Sequence, residues 1–347
     1  MSENNPLVSI NLLTWNGEKY IKDCLKSVLN QNYPNLEILV VDNGSIDNTL
    51  EYVREVEEKK KSLRIVFTYP KNIGFSAGHN HLISESKGKY ILCLNQDVIL
   101  DDNFVKEAVE ILEKDRRIGS VQGKLLRWQV GMPTSQKPKG YQVSHVIDTT
   151  GLVCLKNRRI ISRRQGQLDQ DKAEKKEEIF GADGAAPVYR REALEDVALN
   201  GEYFDEDFFA YKEDVDLAWR LRLRGWKTFY QPKSIAWHDR TAGDNMVRNY
   251  LAVIKERLKI SRFGKYLAFK NGRLLQIKNE QPGILITHLP WFLPKEIGAW
   301  GYVILFERYT WRAIRDLFRQ MPSAFRKRKL IMANKKVSSR EMRKWFK

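Results

Sequence analysis

The chain opens on MSENNPLVSI, without a basic stretch followed by an apolar one, so no secretory leader is expected. Cysteine is scarce. Cys24, Cys93 and Cys154 are scattered and odd in number, which argues against a disulfide framework or a cysteine zinc cluster and fits buried thiols in a reducing compartment. No glycine-rich phosphate loop stands near the start, since VSINLLTWNGEKY holds one glycine. That argues against a nucleotidyltransferase, which shares a similar sheet. No internal repeat is present. Nor is there a clean apolar run of the ~20 residues a spanning helix needs: the richest, 284–306, is interrupted by Pro290, Pro294, Lys295 and Glu296.

Negative charge is sparse at one end. The net charge is +17, and from Arg248 onward 24 basic residues face 6 acidic ones. The preceding chain is nearly neutral. Such asymmetry calls for an acidic partner, either anionic lipid or nucleic acid, or else marks a solvated basic tail. Trp291, Trp300, Tyr302, Tyr309 and Trp311 crowd together ahead of the basic runs at 326–329 and 335–336. Nucleic-acid grooves usually interleave the two residue types. Aromatics beside cations suit a bilayer interface, so an anionic membrane surface is the expected partner and no nucleic acid is expected. The plain alternative is that the aromatics pack on the rest of the protein.

The first hundred residues alternate between two periods. Short apolar runs at 8–13, 37–41, 64–67 and 90–94 read as buried strands. Helical stripes at 17–29, 48–58 and 76–86 lie between them, with Asn16 able to cap the first. Strand and helix in alternation predict an α/β fold with a mostly parallel sheet covered on both faces. Ligands then bind beyond the carboxyl ends of the strands, where Thr14-Trp15-Asn16, Asp42-Asn43-Gly44-Ser45 and Asn95-Gln96-Asp97 stand. Further on, 132–140 and the charged stretch 163–178 read as loops. A helix over 213–224 ends at Gly225, and a strand follows around Phe229 and Tyr230.

Several residues along this edge could do chemistry, and each has a plain alternative. Asp97 follows the apolar run YILCLN and could meet a metal ion, or could simply close a turn. The acids Glu213, Asp214 and Asp216 open a helix, where its dipole favours them. Preceded by Phe208-Phe209-Ala210-Tyr211, they could also include a carboxylate with a pKa suited to base work. His238 follows TFYQPKSIAW and is either a ligand or a core histidine. Asp42 could accept a hydrogen bond from a nucleobase N–H, while Asn43-Gly44 is equally a turn signal.

The order of these segments resembles glycosyltransferase family 2. VSINLLTWNGEKYIKDCLKSVLNQNYPNLEILVVDNGSIDNT resembles its opening, and NIGFSAGHN and YILCLNQDVIL its next blocks. IFGADGAAPVYRREALEDV, FDEDFFAYKEDVDLAWRLRLRGWK and IAWH resemble its acceptor-side blocks. The resemblance covers about residues 6–240 and is nearest to rhamnosyltransferases and galactofuranosyltransferases of surface polysaccharides. It implies a GT-A fold, Rossmann-like, over residues 1–245, with a nucleotide-binding half at about 1–100 and an acceptor half at about 101–245. Residues 246–347 then form a helical, basic appendage at the membrane interface.

The resemblance also implies roles. Asp214 matches the catalytic base. Asp97 matches the last acid of the metal-binding D-x-D motif, and His238 a histidine that completes the site in some members. Thr14, Asn16, Asp42, Ser45, Asn72, Gly74, Asn80, Asn95 and Asp183 match positions around the donor. Asn95 stands where the first acid of the motif would be, which leaves the ion one carboxylate. The expected function is inverting, Mg²⁺- or Mn²⁺-dependent sugar transfer. The expected donor is a nucleoside diphosphate sugar, dTDP-rhamnose or a UDP-hexose, and the acceptor a glycan or polyprenyl-linked glycan at the cytoplasmic face of the plasma membrane. The alternative is an inactive scaffold of the same fold, free to lose Asp97, Asp214 and His238, all of which are present.

Overall fold

The computed structural model describes residues 5–128, 145–170, 174–240 and 257–347. The loop expected at 132–140 and the start of the appendage lie outside them.

Strands β1 (Val8–Thr14), β2 (Leu36–Asp42), β3 (Leu63–Thr68) and β4 (Tyr90–Asn95) lie in the order β3-β2-β1-β4, all parallel. Parallel neighbours need crossovers, supplied by α1 (Ile21–Leu29), α2 (Thr49–Glu57) and α3 (Phe75–Glu85). With helices on the faces, β1 and β4 are buried almost throughout, which is why they read as continuous apolar runs. Asn16 does not cap α1. That helix starts four residues later, with Tyr20 in the capping position, and Asn16 takes a φ of 47° and accepts from the Ile46 N–H at 2.9 Å.

Beyond β4 the sheet is mixed. Its further elements are β5 (Val98–Leu100), α4 (Phe104–Lys114), β6 (Ile118–Arg127), β7 (Ile147–Thr149), β10 (Glu177–Ile179), β11 (Val188–Arg190), α5 (Arg191–Val197), α6 (Glu213–Arg224) and β12 (Lys227–His238). The full order is β10-β12-β6-β11-β4-β1-β2-β3, with β5 on β12 and β7 on β6. Strands β8 (Leu152–Cys154) and β9 (Ile160–Ser162) form a separate hairpin. The parallel pattern breaks at β11, a short strand antiparallel to both neighbours. The described residues of 163–178 are tied down by ion pairs. The buried Lys124 and Asp169 pair at 2.9 Å, Arg163 meets Glu177, Arg164 meets Glu174, and β10 pairs with β12.

The C-terminal region is helical: α7 (Arg262–Asn279), α8 (Pro282–Phe306), α9 (Trp311–Ala333) and α10 (Ser339–Arg343). Helix α8 runs unbroken through Pro290 and Pro294. Proline removes one donor but its fixed φ is helical, so these turns are weakened without being ended. Among the described residues no helix is long and apolar enough to cross a membrane.

These helices share a core with α6. Leu274, Leu275, Ile284, Leu317, Ile331 and Met342 pack with Phe208, Val215 and Trp219. The final residues close it: the Phe346 ring lies 5.5 Å from Trp219, and the Lys347 N–H donates to Cys154 O at 2.9 Å. Truncating a buried aromatic typically costs about 3–5 kcal/mol. Phe346→Ala is therefore expected to lower unfolding free energy by about that amount in urea titration; a loss under ~1 kcal/mol would mean this seam carries no weight.

Candidate active site

A cavity of about 630 Å³ opens at the carboxyl ends of β1 and β4, where Thr14, Asn95 and Asp97 meet Asp183, Asp214 and His238. The sheet thus gathers segments far apart in sequence at one edge, as the doubly wound rule requires.

On one side the walls are polar and locked. Asp42, buried at the end of β2, accepts from Thr14 Oγ1 at 3.0 Å and from Ser45 N and Oγ at 3.0 and 2.6 Å. Ser45 Oγ also accepts from Asn16 N at 2.9 Å. Asn72 and Gly74 line the cavity beside Asn43, whose amide donates to Asn72 Oδ1 at 3.1 Å and Gly74 O at 3.2 Å. Gly74 has a φ of 95°, and a Cβ there would sit 2.6 Å from Phe209 O. Asp42, Asn16 and Ser45 are not among the cavity-lining residues, and their hydrogen bonds tie the end of β1 to the end of β2. Asn80 lies apart from the cavity. It donates to Phe204 O and Glu206 and accepts from the Tyr203 and Phe204 N–H groups, so its amide ties α3 to the turn at 203–206.

The opposite corner holds a chain of charges. Antiparallel pairing of Val98 with His238 brings the preceding Asp97 beside the imidazole. His238 Nε2 is 3.5 Å from Asp97 Oδ1, which is buried and has no hydrogen-bond partner. His238 Nδ1 is 2.8 Å from Asp148 Oδ2, so the ring is oriented and Nε2 is presented to Asp97. Arg240 donates to Asp148 Oδ1 at 2.6 Å and to Asp183 Oδ2 at 3.1 Å. Burial pulls the His238 pKa down, but the Asp97 charge and the Asp148 bond outweigh it and push it up to about 10.

An orphaned carboxylate oxygen facing an oriented imidazole nitrogen fits a divalent ion, which would compete with the imidazole proton. Among the described residues no group of three His, Cys, Asp or Glu side chains is placed to hold a metal ion. The protein would then offer Asp97 and His238 alone, with Asn95 alongside on the cavity wall. Asp148 and Arg240 were not legible beforehand: Asp148 sits in a three-residue strand with no motif around it.

Asp214 is in the first turn of α6. It accepts from its neighbour Val215 N at 2.8 Å and from Gly184 N at 3.2 Å, and one side faces the cavity. Burial first, and then the charge of Asp183, raise its pKa above the usual carboxylate value. Glu213 beside it is fully buried with Oε2 unpartnered, and burial and the Asp214 charge raise it too. The approach to α6 is strained: Phe209, Tyr211 and Lys212 have φ of 64°, 67° and 78°. Such conformations cost about 1–3 kcal/mol each and persist only where the surroundings hold them.

The model of Glycosyl transferase family 2 matches residues 9–198. The chain belongs to this family. An uncharacterized glycosyltransferase of Haemophilus influenzae is 35% identical over 116 residues, 33% of this chain and 36% of that protein. Poly-beta-1,6-N-acetyl-D-glucosamine synthase of Staphylococcus epidermidis is 25% identical over 230 residues, 66% of this chain and 49% of that protein. The chain thus spans less than half the length of these curated relatives. Among solved structures, a fragment of S. aureus TarS superposes with a TM-score of 0.53 at 17% identity, covering 94% of this chain and 83% of that one. The mannosyltransferase PcManGT from Pyrobaculum calidifontis, in complex with GDP-Man and Mn²⁺, gives 0.51 at 17% identity, covering 96% and 86%. These likenesses show the GT-A fold.

The family match stops before α6 and β12 and so does not reach Asp214 or His238. If Asp148 orients His238 as a ligand, Asp148→Asn is expected to weaken Mn²⁺ binding in the presence of UDP by about 10- to 100-fold. Calorimetry would measure it, and unchanged affinity would remove Asp148 from the metal site.

Proposed function

We propose that this family 2 member transfers a sugar from a nucleoside diphosphate to a hydroxyl of a glycan acceptor, with inversion at the anomeric carbon. Asp214 carries the reading: it is a carboxylate on the cavity wall, with its pKa raised by burial and the Asp183 charge against the opposing charge of Lys212. The acceptor O–H gives its proton to Asp214 as the oxygen bonds to the anomeric carbon. The bond from that carbon to the diphosphate oxygen breaks, and the electron pair leaves with the nucleoside diphosphate. Asp42, Thr14 and Asn72 belong to the nucleotide end, and Asp183 to the sugar. Mg²⁺ or Mn²⁺ held by Asp97 and His238 would neutralise charge on the leaving diphosphate. With one carboxylate in that site, ion binding should be weak until the nucleotide supplies further oxygens. The first donors to test are dTDP-rhamnose and the UDP-hexoses.

Asp214→Asn is expected to keep donor binding and lose turnover, by about 10²–10⁴-fold for a general base. Substantial residual transfer to any active acceptor would refute the assignment.

The acceptor side supports a lipid-linked glycan at a membrane. We assign residues 1–245 to catalysis and 246–347 to docking. In α9, Trp311, Phe318 and Phe325 recur every seven residues and are 50%, 60% and 54% exposed. Exposed Arg312, Arg315, Arg319 and Arg326 lie among them. Helix α8 adds Ile286, Trp291 and Ile297, all more than half exposed. Apolar rings with flanking arginines suit an anionic bilayer surface, where each cation contributes about 1 kcal/mol. The protein should sediment with phosphatidylglycerol vesicles and far less with phosphatidylcholine, and the triple change W311A/F318A/F325A should release it. Equal or tighter binding to an oligonucleotide at matched salt would overturn this.

A further inference from the structure

The strained approach to α6 is built as a γ-turn: Ala210 N donates to Phe208 O at 2.8 Å across Phe209, whose φ and ψ are 64° and −63°. The rare form of this turn is not held by its own hydrogen bond. On the donor side, Ser76 N at the start of α3 donates to Phe209 O at 3.1 Å. On the other side, Asn271 of α7 is fully buried, with Nδ2 at 2.8 Å from each of Phe208 O, Ala210 O and Tyr211 O. All three neighbours are acceptors, so only a donor suits the position. Asn271 Oδ1 is buried without a partner. A buried amide with an unmet oxygen is unfavourable in a core unless its nitrogen is needed.

Two C-terminal helices, α7 and α9, grip the chain on either side of the turn. Lys270 donates to Asp207 O at 2.5 Å, and Lys327 of α9 reaches Asp207 Oδ2 at 3.0 Å and also Asp205. Lys278 pairs with Asp205 and with Asp216 at 2.9 Å, and Asn279 donates to Asp216 at 2.7 Å. Asp216 is two residues beyond Asp214, in the same helical turn.

We infer that Asn271 is a positioning residue, which holds the loop 208–212 through its three carbonyls and so sets the place of Asp214 against the cavity. It lies outside the segment matched by the family model. The inference extends the reading of Asp214 as the base and rests on it for its kinetic consequence, while its structural consequence is read without substrate.

The test compares Asn271→Asp, equal in volume but unable to donate when ionised, with Asn271→Gln, which keeps the amide, and with Arg273→Ala. Arg273 is on the same helix but turned to Glu296 of α8. In the full chain, hydrogen exchange of amides 208–216 is expected to rise about tenfold in Asn271→Asp with β1 and β4 unchanged. The kcat with Mn²⁺ and an active nucleotide sugar should fall by about 10- to 100-fold, with KM for that donor within about threefold. Asn271→Gln should recover part of both losses, and Arg273→Ala should show neither. Wild-type loop protection in Asn271→Asp would overturn the inference, as would equal loop opening in Arg273→Ala. If the loop opens but kcat holds, the positioning of Asp214 is wrong. If Asp214→Asn itself retains turnover, the failure lies with the base.

Discussion

The structure depends on how acidic groups are balanced around one cavity. Asp97, Asp148, Asp183, Glu213 and Asp214 converge there, and His238 at the end of β12 and Arg240 just beyond it pair with three of them. Arg240 bridges Asp148 and Asp183, while His238 bridges Asp148 and Asp97. Burial and a neighbouring acid, Asp183 for Asp214 and Asp214 for Glu213, raise the other two against the opposing charge of Lys212. On the proposed reading, one corner holds a divalent ion and the other accepts a proton.

The second dependence is mechanical. The loop that delivers Asp214 takes three left-handed conformations in four residues, and strain of that kind must be held from outside. Gly74 gives Phe209 room on the donor side, and the C-terminal helices hold the other. Sequence placed those helices in an appendage, yet they share a core with α6. The surface read as docking to lipid and the support of the loop before Asp214 thus meet on α9.

Much of this was legible in the chain. The strands β1 to β4 stood out because burial on both faces makes them continuous apolar runs. Asp97, Asp183, Asp214 and His238 were all named in advance, and all line one cavity. What could not be read was anything set by long-range pairing. Asp148 matters only because the short strand β7 brings it to His238, and Arg240 because Asp148 and Asp183 meet it there. Asn80 looked like a donor contact but spends its amide on backbone 124 residues away. Asn16 looked like a helix cap, yet its positive φ turns the side chain to Ile46. Helix α8 ignored two prolines because a proline breaks a pattern more readily than it breaks a helix.

The central claim is that Asp214 works as a base from an environment that raises its pKa. The pH dependence of kcat tests this most directly. A base must be ionised, so a raised pKa moves the acidic limb of the profile above the ordinary aspartate value of about 3.9. Burial remains when Asp183 is neutralised, but the next largest cause is lost. The expected result is a limb above the ordinary range in the wild type that moves to lower pH in Asp183→Asn. A limb at the ordinary value, unmoved by that substitution, would contradict the account.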